Sequence, residues 1–176
     1  MCISFLLNRS NEIKLETKDI IMTMVDRAGE RSLRGSWLEK FESVDAVLFV
    51  TSLSSYDELS EENVNALKDS IKIFECICNV KWFAHTALIL FLNKEDLLEK
   101  KLQIVPLNKY FPEFQDKKDF EKAKDFILKK FQAQCKLNRT IYRHFTNAKD
   151  TERVATVFEA VQSELLNLRL NHLGLY

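Results

Sequence analysis

Short apolar blocks alternate with longer stretches whose apolar residues recur every three or four positions, and this alternation most constrains how the 176-residue chain can fold. Ile20–Val25, Ala46–Val50, Ala87–Leu92 and Thr140–Phe145 have the length and composition of buried strands. Between them, Val64, Leu67, Ile71 and Phe74 mark one helical face, and Phe120, Ala123, Phe126, Ile127 and Phe131 mark another. The final stretch, from Val154 to Leu168, is the longest, with Asp150 or Thr151 as its N-cap and Gly174 near its close. Strands that alternate with helices predict an α/β fold, a mostly parallel sheet flanked by helices in three layers. No linker, repeat or low-complexity tract divides the chain, so residues 1–176 are read as one domain. A chain of this size buries about 70% of its unfolded surface without metal or disulfide support.

Three glycines, Gly29, Gly35 and Gly174, exclude the common nucleotide loops. A G-x-x-x-x-G-K-[ST] loop needs two glycines five apart and a Gly-Lys pair, and neither occurs here. A G-x-G-x-x-G fingerprint fails by the same count. Lys plus Arg equals Asp plus Glu at 26 each, which removes the positive excess a nucleic-acid binder needs. No apolar run reaches the roughly 18–20 residues that span a bilayer. Cys2, Cys76, Cys78 and Cys135 lack zinc or disulfide spacing, and Cys76 and Cys78 would lie about 200° apart on a helix. They read as reduced, mostly buried thiols of a cytoplasmic protein, with acylation of Cys2 left open.

Chemistry concentrates in three polar clusters that follow apolar strands, at the edge where open α/β sheets bind ligands. Asp26-Arg27-Ala28-Gly29 has the D-x-x-G form, which suits an Asp holding Mg²⁺ through water and a Gly amide approaching a phosphate; a strand-end turn is the alternative. Asn93-Lys94-Glu95-Asp96 has the N-K-x-D form. There a carboxylate can accept both guanine N1–H and the N2 amine, the Asn braces the loop and the Lys stem covers the base; a helix N-cap is the alternative. Phe145–Thr151 joins a strand to the last helix, where the Ala148 amide could reach guanine O6.

In this order and spacing the clusters resemble the carboxyl-terminal part of heterotrimeric G-protein α subunits, from about residue 12 to Tyr176. The resemblance rests on Asp26–Ser32 with Trp37 and Phe41, on Ser70–Phe83, on Leu90–Leu97, on Phe145–Thr151 and on Leu173-Gly174-Leu175. It implies a Ras-like domain of the P-loop NTPase type and a GTPase switch that couples G-protein-coupled receptors to βγ subunits and effectors. The implied location is cytoplasmic, with the inner face of the plasma membrane left open. By the resemblance, Asp26 and Gly29 serve Mg²⁺ and the γ-phosphate of GTP or GDP, Asn93, Lys94 and Asp96 serve guanine, and Ala148 serves its O6. Trp37, Phe41, Trp82 and Phe83 fall at partner-binding positions, and Leu173 and Leu175 at the receptor end; for Trp37 and Phe41 a buried helix face is the alternative.

The departures from the family are specific. Its phosphate loop, inserted helical domain, transition-state arginine and second Mg²⁺-binding Thr have no counterpart here, so the domain reads as amino-terminally truncated. Ala28 replaces a Gly, Glu30 the water-orienting Gln, and Lys149 a Thr. Nucleotide affinity is therefore expected to be weak or lost. The alternative function is a pseudo-GTPase that keeps interaction surfaces without effective GTP binding or hydrolysis.

The same resemblance leaves the sheet without the strand that lies between Ile20–Val25 and Ala46–Val50. Cys2–Leu7 can fill that vacancy, pair as a hairpin with the segment near Glu12–Thr17, or fray. Filling it requires Asn8–Asn11 to cross one strand, about 9.6 Å, within the reach of four residues.

Overall fold

The structure, a computed structural model, describes residues 2–5, 11–16, 21–26, 44–60, 63–83, 86–116, 118–137, 139–147 and 149–172. Among them six strands form one sheet: β1 Cys2–Phe5, β2 Asn11–Glu16, β3 Ile21–Asp26, β4 Ala46–Ser52, β5 Ala87–Asn93 and β6 Ile141–Thr146. Their spatial order is β2-β3-β1-β4-β5-β6. All neighbours run parallel except β2, which pairs antiparallel with β3 at the edge.

β1 fills the central vacancy. Ile3 pairs with Met24 on one side and Ala46 on the other, and Ser4 pairs with Val25 and Val47. A hairpin with β2 is thereby replaced by ladders on both flanks, which satisfy backbone groups of β3 and β4 that an empty slot would leave unpaired. β2 lies beyond β3, two strand spacings from β1, and only five residues separate Phe5 from Asn11.

Among the described residues four helices flank the sheet: α1 Ala66–Cys78, α2 Glu95–Leu102, α3 Phe120–Gln132 and α4 Thr151–His172. Side chains of β5 alternate between two cores because successive residues of a strand point to opposite faces. Leu88, Leu90 and Leu92 join Val47 and Phe49 beneath α1, α2 and α3. Ala87, Ile89 and Phe91 join Ala46, Leu48 and Met24 beneath Val161 and Leu165 of α4. The larger core centres on Phe49, Phe74 and Phe131, whose ring centroids stand 5.2 Å, 5.4 Å and 6.2 Å apart in edge and tilted contacts.

Local signals set the helix starts. Asn65 Oδ1 accepts from the Lys68 amide and Asp119 Oδ1 from the Lys122 amide, each at 3.0 Å, so both helices open on a side-chain cap. The Pro106–Pro112 segment holds a short helical turn at Leu107–Lys109 and continues no helix, as its prolines require. No helix among the described residues is long and apolar enough to cross a membrane.

Candidate functional site

Ser52, Asn93 and Thr146 end β4, β5 and β6 in one register row, which brings two of the polar clusters side by side. The Asn93 side-chain oxygen joins them: it accepts from the Lys94 amide at 2.8 Å and from the Thr146 hydroxyl at 3.2 Å. The first bond supports a left-handed turn at Lys94, φ 62° and ψ 41°, which a residue with a Cβ adopts at some cost. That turn lets α2 begin immediately after the strand, with the Lys94 carbonyl accepting from the amides of Leu97 and Leu98. Lys94 stays exposed and Asp96 is half-buried, both on the loop side of the row. The N-cap alternative for this cluster matches the structure: Lys94 is the N-cap residue of α2, through its backbone rather than its side chain.

The Glu95 side chain goes inward and is only 6% exposed. Lys124 of α3 stands 3.8 Å from its Oε2, and the two helices meet there. Just after β6, Asn147 builds the start of α4: its side-chain oxygen accepts from the Lys149 amide at 3.1 Å and its carbonyl from the Asp150 amide at 3.0 Å. The Val154 amide then donates to the Asp150 carbonyl, which sets Asp150 as the N-cap residue.

Asp26 ends β3, paired with Phe5. Three strand spacings, about 14 Å, separate it laterally from Asn93, so a ligand that touched both would have to be elongated. Gly29, Glu30, Trp37, Phe41, Ala148, Leu173 and Leu175 lie outside the described residues, as does the side chain of Trp82. Trp82 belongs to a short helical turn, Lys81–Phe83, that leads toward β5. Phe83, expected at a partner-binding position, is 3% exposed and belongs to the larger core. Of the three described thiols Cys78 is buried, Cys76 exposed and Cys135 between them: the opposite faces expected of Cys76 and Cys78 are observed, and the expected burial holds fully for Cys78 alone.

Three contributors were not legible as site residues. Thr146 is one residue of the third polar cluster with no role of its own in the sequence, Glu95 the variable position of N-K-x-D, and Lys124 a lysine among others on a helix. Only the register row and the α2–α3 contact give them roles. Among the described residues no cluster of three His, Cys, Asp or Glu is arranged to hold a metal ion.

A profile of the family described as G-protein alpha subunit matches residues 8–165. The guanine nucleotide-binding protein G(o) subunit alpha of Caenorhabditis elegans is 39% identical over 168 residues, covering 94% of this chain and 48% of the relative. Its counterpart from Lymnaea stagnalis is 38% identical with the same coverage. The chain spans about half the length of these curated relatives. β1 precedes the matched region, so the strand that completes the sheet comes from residues outside the profile. With the N-K-x-D turn, its brace to β6 and a family match over most of the length, the chain belongs to the G-protein alpha subunit family.

Proposed function

We propose that this chain is a signal transducer of the G-protein α class that reads guanine through its β5–α2 and β6–α4 loops but grips the phosphates poorly. The observation that carries the reading is the single Asn93 oxygen accepting from both Lys94 and Thr146, since that junction joins the loops on which a guanine would be read. Asp96 would accept guanine N1–H and the N2 amine, the Lys94 stem would lie along the base, and the Ala148 amide would donate to O6. Asp26 and Gly29 would meet Mg²⁺ and the terminal phosphate, where the ion's role is to neutralise charge on phosphate oxygens.

A specific observation favours weak phosphate binding. β1 and β2 are separated by five residues, too few for a phosphate loop and the helix that follows one, and no Walker-type sequence occurs among the 176 residues. Glu30 adds a negative charge and cannot donate a hydrogen bond to a γ-phosphate while orienting water. Function on this reading runs through protein contacts: Trp37, Phe41 and Trp82 toward βγ subunits or effectors, and Leu173 and Leu175 beyond α4 toward a receptor, at the cytoplasmic face of the plasma membrane.

Calorimetric titration with guanosine, GDP, GTP and IDP in millimolar Mg²⁺ tests this. If the base carries the binding, guanosine, GDP and GTP bind with similar, weak affinity, and IDP, which lacks the N2 amine, binds about tenfold more weakly for one lost charge-assisted hydrogen bond. Submicromolar GTP affinity would overturn the weak-phosphate reading, and equal affinity for IDP and GDP the base reading. Glu30→Gln is expected to leave single-turnover hydrolysis undetectable, because a water-orienting amide acts only on a phosphate already held.

A further inference from the structure

The end of α1 and the segment after α3 lie side by side, and each carries a thiol. Asn79, next to Cys78, donates through Nδ2 to the Gln134 carbonyl at 2.8 Å and accepts through Oδ1 from the Lys136 amide at 2.8 Å. The backbone on both sides of Cys135 is thereby fastened to the residue that follows Cys78. Cys135 Sγ stands 3.9 Å from the Cys78 carbonyl oxygen, and the two thiols are within hydrogen-bonding reach of each other. We propose that Cys78 and Cys135 are a dithiol modification site, which a hydroperoxide converts to an intramolecular disulfide. With the two backbones already adjacent, rotation of the side chains is the motion left to bring the sulfurs to about 2.05 Å.

The two thiols suit different steps. Cys135 is half-buried and donates to the Leu137 carbonyl at 3.4 Å, so a small oxidant reaches it first. Cys78 is buried and accepts from the Asn79 side-chain amide at 3.5 Å, closed to solvent but beside Cys135. The Arg139 guanidinium lies near both sulfurs; its Nη2 donates to the Thr86 carbonyl, while Nη1 is buried with no hydrogen-bond partner among the described residues. Its positive charge favours the Cys78 anion and works against the burial that pushes that thiol up to about 12. In the first step the Cys135 thiolate attacks one oxygen of the peroxide. An S–O bond forms, the O–O bond breaks, and the departing hydroxide takes up the proton that Cys135 gave, leaving as water. Cys78 then attacks the sulfenic sulfur of Cys135: the S–S bond forms, the S–O bond breaks, and the hydroxyl leaves with the Cys78 proton as a second water. The two thiols together lose two electrons, which reduce one peroxide. Cys76, exposed two positions away, faces another side of α1 and does not compete for Cys135.

Peptide mapping of the full chain after treatment with a small molar excess of hydrogen peroxide tests the site, in the parent and in Cys76→Ser, Cys78→Ser and Cys135→Ser. The parent and Cys76→Ser should each yield a monomeric species, two hydrogens lighter, in which the Cys78 and Cys135 peptides are linked, and dithiothreitol should restore both thiols. The oxidised chain should melt about 5–15 °C above the reduced one, because a covalent link across 57 positions restricts the unfolded chain. Cys78→Ser should stop at a sulfenic acid on Cys135, which dimedone traps. Cys135→Ser should lose the Cys78 thiol about tenfold more slowly than the parent, since the buried sulfur then meets the oxidant unaided. Absence of the linked peptides overturns the proposal, and so does their formation only in chain first unfolded in urea. A melting temperature that falls on oxidation, or equal loss of the Cys78 thiol in Cys135→Ser and the parent, overturns it as well. If a serine variant does not fold, the peptide map and melting shift of the parent decide by themselves.

Discussion

Asn93 serves two loops with one oxygen, and its removal should be felt in both. Asn93→Ala deletes the bonds to Lys94 and Thr146 and leaves the buried Thr146 hydroxyl without its acceptor. At about 1 kcal/mol per bond, a loss of about 2 kcal/mol and a melting temperature lower by about 4–8 °C are expected by calorimetry. A change within error would show that the junction contributes nothing. Asn79 is a second such hub: its amide nitrogen donates to the carbonyls of Glu75 at 2.9 Å and Gln134 at 2.8 Å, and its oxygen accepts from the Lys136 amide at 2.8 Å. The end of α1 is thereby sewn to the segment after α3, which gives a physical reason for an Asn that the sequence marks only as a family signature. The cysteines follow from helix geometry. Cys76 faces solvent while Cys78 is buried, its thiol pushed up to about 12 first by desolvation and then by Cys135. Iodoacetamide at pH 8 should label Cys76 and spare Cys78 in the native state; equal labelling would place Cys78 at the surface.

The elements differ in how far local pattern determined them. α1, α3 and α4 follow from spacing and caps, and β3 to β6 begin and end within a residue or two of their apolar blocks. α2 was legible only as a possible N-cap, because eight residues with two lysines, three carboxylates and three leucines present a weak period. β1 was the open case. Its sequence permits a central strand, a hairpin arm or a frayed end, and the decision belongs to the unpaired edges of β3 and β4 rather than to Cys2–Phe5 itself. Ser4→Pro should therefore act as a central-strand lesion. It removes a ladder amide flanked by partners on both sides, with an expected loss of about 3 kcal/mol or more and a fall of about 6–12 °C in melting temperature. A change of a degree or less would show that β1 is not needed to hold the sheet.

Across the whole molecule the titrating groups make the fold vulnerable to base. Burial raises the Cys78 thiol to about 12 and lifts the Tyr56 hydroxyl, which donates to the Val105 carbonyl at 2.6 Å. Lys101 is opposed by burial, but its hydrogen bonds to Asp57 at 2.6 Å and Glu58 at 2.9 Å outweigh that and hold its pKa above the ordinary value. All three pKa values are higher in the fold than in the unfolded chain, so each contribution is complete below the unfolded value and is lost as pH rises toward the folded one. Thermal stability should stay level from pH 7 to about 9 and fall above it, first through Cys78, and Cys78→Ala should delay the onset. A flat profile to pH 11 would contradict this. By itself the sequence determined the α/β class, the burial of the central strands, most of the described helices, the polar loops at the strand ends and the family, because apolar period, caps and short motifs are encoded in neighbouring residues. Only the tertiary structure decided that β1 lies at the centre, that Asn93 meets Thr146, that Phe83 belongs to the core and that Lys124 reaches Glu95. Those pairings join residues tens of positions apart, and sheet order and register, which no local period carries, bring them together.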